Sequence, residues 1–190
     1  NLSEVKNVPL VQASLYELPF RAGVFDACYS IGVLQHTPDP PSALEALPRV
    51  VKCGGRIAVT VYERKVWTRL NAKYLVRPLT TRASKTALMR AVRWSMPALF
   101  AITELLFRVP YLGTVFKFVI PVANYTNERR LSLRQRYQWA VLDTFDMLSP
   151  EFDQPQTDAE MSAALTRAGV VDVERLPNKG LNLVGTVSCR

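Results

Sequence analysis

The chain has 190 residues, enough for one α/β domain with a sizeable core, or for a domain and a small subdomain. Its 48% apolar and 21% charged residues are those of a globular protein, and one histidine with three widely separated cysteines leaves little for a metal site. The formal charge of +8 is unevenly spread: residues 64–136 hold 15 Lys/Arg against only Glu104 and Glu128. That asymmetry separates two parts with different work.

Residues 1–7 read as the tail of a helix and a turn. The start is polar, lacks the apolar run of a secretory signal and has no initiator methionine, so an amino-terminally incomplete piece is expected. Sparse cysteines point to a reducing compartment. Residues 8–13 (VPLVQA) predict a short buried strand. After a loop and a turn near Gly23, residues 25–33 predict a second strand whose nearly continuous apolar character implies burial on both faces, as in a parallel sheet. Asp39 is a good helix N-cap and Pro40 suits the first helical position. The helix presents Ala43, Leu44, Leu47 and Val50 or Val51 at helical spacing. Pro48 kinks or shortens it, and Gly54–Gly55 stands where a left-handed cap is expected. Residues 57–62 (IAVTVY) predict a third buried strand. The whole of residues 18–63 is therefore one βαβ unit, and its loop at residues 30–39 lies at the carboxyl end of a parallel strand, where open α/β sheets bind ligands. That loop contains the single histidine, His36.

Residues 64–136 break the pattern. They are helical in character, basic and aromatic, with prolines at 78, 97, 110 and 121 dividing them. Residues 94–123 are notably apolar, yet Glu104, Arg108 and Lys117 interrupt them. The uncharged run 94–103 is far below the roughly 20 residues a spanning helix needs. A packed helical cap, or helices lying on a membrane surface, suits the composition better. Cations interleaved with aromatics also suit single-stranded nucleic acid, but no nucleic-acid motif accompanies them, and that partner is disfavoured. Beyond residue 137 the earlier character returns. Asp143 and Asp146 stand one helical turn apart, either facing an acceptor or forming a surface pair. Thr157 with Glu160 is a capping box opening a helix that stops at Gly169. Residues 170–176 and 181–187 form a closing hairpin with Gly180 in its turn.

Four motifs in order carry a family resemblance. Ala13-Ser14-Leu15 before Leu18-Pro19-Phe20 is similar to A-D-x-x-x-L-P-F. Phe25-Asp26 opens the next strand as an F-D motif does. Val33-Leu34-Gln35-His36 with Asp39 resembles V-L-x-H-x-x-D, and Arg49-Val50 with Lys52-Cys53-Gly54-Gly55 resembles R-V-L-K-P-G-G. Together they resemble the middle of a class I S-adenosylmethionine-dependent methyltransferase of the broad small-molecule, type 11 kind. The tail, residues 143–185, resembles the closing helix and hairpin of such enzymes carrying an inserted cap. The resemblance implies a Rossmann-like α/β fold, partial, with its first strands missing, a helical insertion and a carboxyl-terminal β-hairpin. On this reading residues 1–63 and 137–190 are the partial methyltransferase domain, and residues 64–136 are the basic, apolar cap.

It further implies S-adenosyl-L-methionine as cofactor, with Ser14 and Leu15 beside the adenine and Ser30, Ile31 and Gln35 toward the methionine end. His36 lies at the mouth, as a general base or as a residue that orders the following helix. Position 14 departs from the family's aspartate. The family's glycine-rich loop and the acidic residue after its second strand are absent, and by motif order they belong before Asn1. The expected activity is methyl transfer to a small lipophilic or anionic acceptor, in the cytoplasm or peripherally at a membrane. The alternative is a non-catalytic scaffold, or a module for a membrane surface or RNA.

Overall fold

The computed structural model describes residues 8–178 and 180–189. The chain divides into two compact units, residues 65–151, and residues 1–64 with 152–190. The reading of residues 1–7 as a helix tail lies outside the described residues.

The first unit is a four-stranded sheet. β1 (Phe25–Ile31) lies parallel to β2 (Val51–Val61), which pairs antiparallel with β4 (Leu181–Val187), and β4 pairs antiparallel with β3 (Val170–Arg175); the order is β1-β2-β4-β3. Helices α1 (Pro40–Ala46) and α6 (Asp158–Arg167) contact each other and contribute to one core. Strand alternation decides which side chains they cover: Ile57, Val59 and Val61 of β2 and Leu181 and Leu183 of β4 join Leu44, Met161 and Leu165 in that core. Truncating a fully buried leucine such as Leu44 or Leu165 would cost about 2–5 kcal/mol.

α1 begins as expected, with the Asp39 carboxylate accepting from the Ser42 amide and Pro40 in its first turn. It ends sooner. Pro48, which has no N–H to continue the ladder, opens a 3₁₀ turn (Pro48–Val50), and β2 starts at Val51. Gly54 and Gly55 are therefore not a helix cap. They lie in a bulge of β2: the register passes from Phe25↔Val51 to Ala27↔Arg56, so one residue of β1 faces four of β2. Lys52 and Asp26 form an exposed ion pair at 2.7 Å across it, and this hydrogen bond and charge hold the Asp26 carboxyl below the usual aspartate range.

Two further expectations are corrected. Residues 8–13 form no strand, and Val8, Leu10 and Val11 are exposed. β1 is not buried on both faces. Its core-facing Ser30 is buried, whereas Tyr29 and Ile31 on the opposite face are 75% and 66% exposed. Among the described residues β1 stands at the sheet edge, paired only with β2. The closing elements form as read: Thr157 caps α6 in a reciprocal capping box with Glu160, and the hairpin follows. The Thr157 amide, donating to Glu160, lowers the pKa of that carboxyl.

Extending the β2–β4 register three residues from Arg56↔Thr186 brings Cys53 opposite Cys189, and these two form a disulfide with a Cα separation of 4.8 Å. Nothing in the sequence spacing marks that pair. Cys28 remains free, half-buried against the core, and burial pushes its thiol pKa up.

The second unit is helical: α2 (Ala72–Thr80), α3 (Lys85–Leu106), α4 (Leu112–Val119) and α5 (Leu133–Leu148). Leu88, Val92, Met96 and Phe100 of α3 meet Ala140, Val141 and Leu148 of α5 in its core. α5, begun by a Ser132–Gln135 capping box, belongs to this unit, which runs to residue 151. Of the four prolines, Pro110 and Pro121 lie outside helices as expected, while Pro78 and Pro97 lie inside α2 and α3. Among the described residues no helix is long and apolar enough to cross a membrane.

Candidate functional site

The loop after β1 is built by three local devices. Gly32 donates its N–H to the Thr60 carbonyl at 2.9 Å, extending the parallel ladder by one residue, then turns the chain at φ +67°. A Cβ there would come within 3.7 Å of the Gln35 amide nitrogen, so glycine keeps the backbone bare as well as turning it. Leu34–His36 is a single 3₁₀ turn, closed when Thr37 donates from both its N–H and its hydroxyl to the Leu34 carbonyl.

His36 is fixed at both ring nitrogens. Nδ1 lies 3.0 Å from the Phe152 carbonyl, which can only accept, so Nδ1 carries the proton. Nε2 is then an acceptor and faces the Gln35 side-chain nitrogen at 3.4 Å. That assignment orients the Gln35 amide. Its Oε1 is buried with no hydrogen-bond partner, although the residue is wholly inaccessible. The His36 ring also meets Tyr62 edge-to-face at 5.7 Å.

Residues far along the chain lock this loop. Gln154 donates its backbone N–H to the Gln35 carbonyl at 2.8 Å and its side-chain amide to the Pro38 carbonyl at 2.6 Å. On the other side, the Tyr16 hydroxyl accepts from the Asp39 N–H at 2.9 Å and donates to the Asp39 carbonyl at 3.2 Å. Tyr16 sits in the turn bridged by Ser14 and Glu17, so it ties the Ser14–Leu15 turn to the start of α1. Ser14 is exposed, and its hydroxyl accepts from the Tyr16 amide at 3.2 Å. Leu15 packs on the core.

The structure thus brings Ser14, Leu15, Gln35 and His36 to one region through Tyr16 and the loop. Ser30 points into the core and Ile31 to the exposed face of β1. Asp143 is elsewhere, in the helical unit, accepting from the Tyr125 hydroxyl at 2.6 Å. Tyr16, Phe152 and Gln154 escaped the sequence reading. Two of them lie more than a hundred residues from the loop, and a backbone carbonyl leaves no side-chain signature.

Residues 1–59 match the family model described as methyltransferase domain. That match covers 59 of the 190 residues. Over 75 residues the chain is 39% identical to a ubiquinone/menaquinone biosynthesis C-methyltransferase of Cronobacter sakazakii, covering 39% of this chain and 30% of that protein. Over 79 residues it is 36% identical to a demethylmenaquinone methyltransferase of Corynebacterium kroppenstedtii, covering 40% of this chain and 34% of that one. The chain spans about a third of the length of these curated relatives. Among solved structures, an S-adenosylmethionine-dependent methyltransferase of Methanosarcina mazei is similar at 16% identity and a TM-score of 0.45, over 94% of this chain and 66% of that one.

S-adenosyl-L-methionine is the cofactor the methyltransferase family implies. Two features of the loop bear on such a group. Gly32 carries no side chain at the turn, and Gln35 Oε1 is a buried oxygen without a hydrogen-bond partner. Among the described residues no strand precedes β1.

Proposed function

We propose that this chain is part of an enzyme that moves the methyl group of S-adenosyl-L-methionine to a small lipophilic or anionic acceptor. The observation that carries this reading is the loop at residues 32–36: bare at Gly32, rigid through Thr37 and Gln154, and holding the unpaired Gln35 carbonyl. In this assignment Ser14 and Leu15 lie on the adenine side, and Ser30, Ile31 and Gln35 on the methionine side. Ser14 accepts a hydrogen bond without the charge an aspartate would add.

The cofactor, when bound, supplies an electrophilic methyl group on a sulfonium. The chain's own part is alignment and exclusion of water, which can supply most of what a displacement needs. A base is required only where the acceptor must lose a proton. With Nδ1 on the Phe152 carbonyl and Nε2 facing Gln35, the part assigned to His36 is to hold the loop beside Tyr62. The two relatives named for quinone methylation support a lipophilic ring acceptor. Tritiated-methyl transfer by the intact gene product to lipid and quinone extracts tests this; label found only in protein or RNA would overturn it.

The exposure of Tyr29 and Ile31 on β1 favours a second reading, a scaffold that binds no cofactor. Calorimetry of the intact gene product with S-adenosyl-L-methionine separates the two. Micromolar binding supports the enzyme, and its absence the scaffold.

A further inference from the structure

Helix α3 has two apolar faces, and only one is covered. Leu88, Val92, Met96 and Phe100 are buried toward α5. On the other side Trp94, Ala98, Ala101 and Leu105 recur at intervals of three and four, within an arc of about 60° at 100° per residue. All four are exposed, Trp94 by 87% and Leu105 by 72%. α4 repeats the pattern with Leu112, Val115 and Val119, each more than half exposed, after a Tyr111 that is 97% exposed. Stripes of large apolar side chains left in water mark an interaction surface.

Cations border both stripes. Lys85, Arg90 and Arg93 line a pocket of ≈ 400 Å³ one helical turn before Trp94. Arg108, Lys117, Arg129 and Arg136 line a second, of ≈ 630 Å³, where α3 gives way to α4, with Tyr111 beside them. Glu104 pairs with Arg108 and Arg136. Even so, Arg136 Nε and Thr126 Oγ1, both in the lining of this pocket, are buried without a hydrogen-bond partner. The pocket therefore offers donors to an anion that the chain does not itself provide.

We propose that α3 and α4 dock on an anionic phospholipid bilayer, lying on it without crossing. Lipid phosphates enter the two cationic pockets, and Trp94, Leu105, Leu112 and Val119 enter the boundary between headgroups and acyl chains. Among partners, a bilayer is the one that presents dense phosphate and an apolar layer together, and tryptophan and tyrosine favour its interface. A second copy suits this surface poorly. Residues 65–151 hold fourteen Lys/Arg against five Asp/Glu, a net +9, and two-fold pairing would set like charges against each other. RNA would engage the cations and leave the leucine and valine stripes in water.

The test uses the 190-residue chain carrying Trp67→Phe and Trp139→Phe, so that Trp94 alone fluoresces. It is titrated with phosphatidylcholine vesicles, with and without about 30% phosphatidylglycerol. The expected result is a blue shift, and quenching by brominated acyl chains, with the anionic vesicles. Partitioning should fall about tenfold or more with Leu105→Glu, with Lys117→Glu and Arg129→Glu together, or at high salt. Circular dichroism confirms that each variant keeps its helices. Three outcomes would overturn the proposal: no preference for anionic vesicles, unchanged partitioning of Leu105→Glu, or a wild-type dimer that Leu105→Glu dissociates. Binding of inorganic phosphate without vesicle binding would also overturn it. None of these readouts depends on methyl transfer.

Discussion

At His36 a residue type that suggests one chemistry meets neighbours that favour the positioning role proposed above. A lone histidine in a strand-end loop suggests a base, but the Phe152 carbonyl and the Gln35 amide occupy its two nitrogens. Replacing it with phenylalanine keeps a ring beside Tyr62 and strips the Phe152 carbonyl of its donor. An unsatisfied group of this kind costs about 1–3 kcal/mol. Urea denaturation of His36→Phe should show that loss. The pH profile of methyl transfer by the intact gene product should keep its shape, because no titrating base has been removed; a lost limb in that profile would restore His36 as a base. The loop residues themselves were legible in the sequence because their types and spacing are local. Their partners were not. The contribution of Phe152 is a carbonyl that every residue owns, and Tyr16 reads as an ordinary loop aromatic until it is seen on Asp39.

At the scale of elements, hydrophobic pattern predicted type well and surroundings poorly. Residues 8–13 have the composition of a buried strand, but a strand exists through its neighbour's ladder, and here Pro9 lacks an N–H and no strand among the described residues pairs with the run. β1 formed because β2 supplies that ladder, yet its apolar run is half exposed, since composition alone does not say what lies beyond an edge. The glycine pair at 54–55 looked like a helix stop because glycines usually are one; Pro48 had already ended the helix. Gly55 instead lets β1 approach the bulge. A Cβ there would lie 2.6 Å from Val51 Cγ1, 2.7 Å from the Asp26 carbonyl and 2.9 Å from the Lys52 carbonyl. Two of these are backbone atoms that cannot swing aside. Gly55→Ala should therefore destabilise the chain by about 1–3 kcal/mol, as overpacking does, measured as a lower urea midpoint at unchanged slope.

For the molecule as a whole, the segregation of charge in the sequence suggested a basic insert over residues 64–136, and the compact units are residues 65–151, and residues 1–64 with 152–190. α5 carries no charge excess that would mark it, while its Ala140, Val141 and Leu148 join the core of α3. The Cys53–Cys189 bond has a topological consequence. It ties residues 136 positions apart and so closes the entire helical unit into a covalent ring, with both polypeptide connections inside it. A protease that nicks the chain at 64/65, at 151/152 or in any exposed turn of the ring opens the loop without freeing a piece. On a non-reducing gel the nicked protein should run as one species near its full 21.4 kDa, and only a reductant should resolve it into fragments. Early release of a fragment without reductant would show that the ring is open in solution.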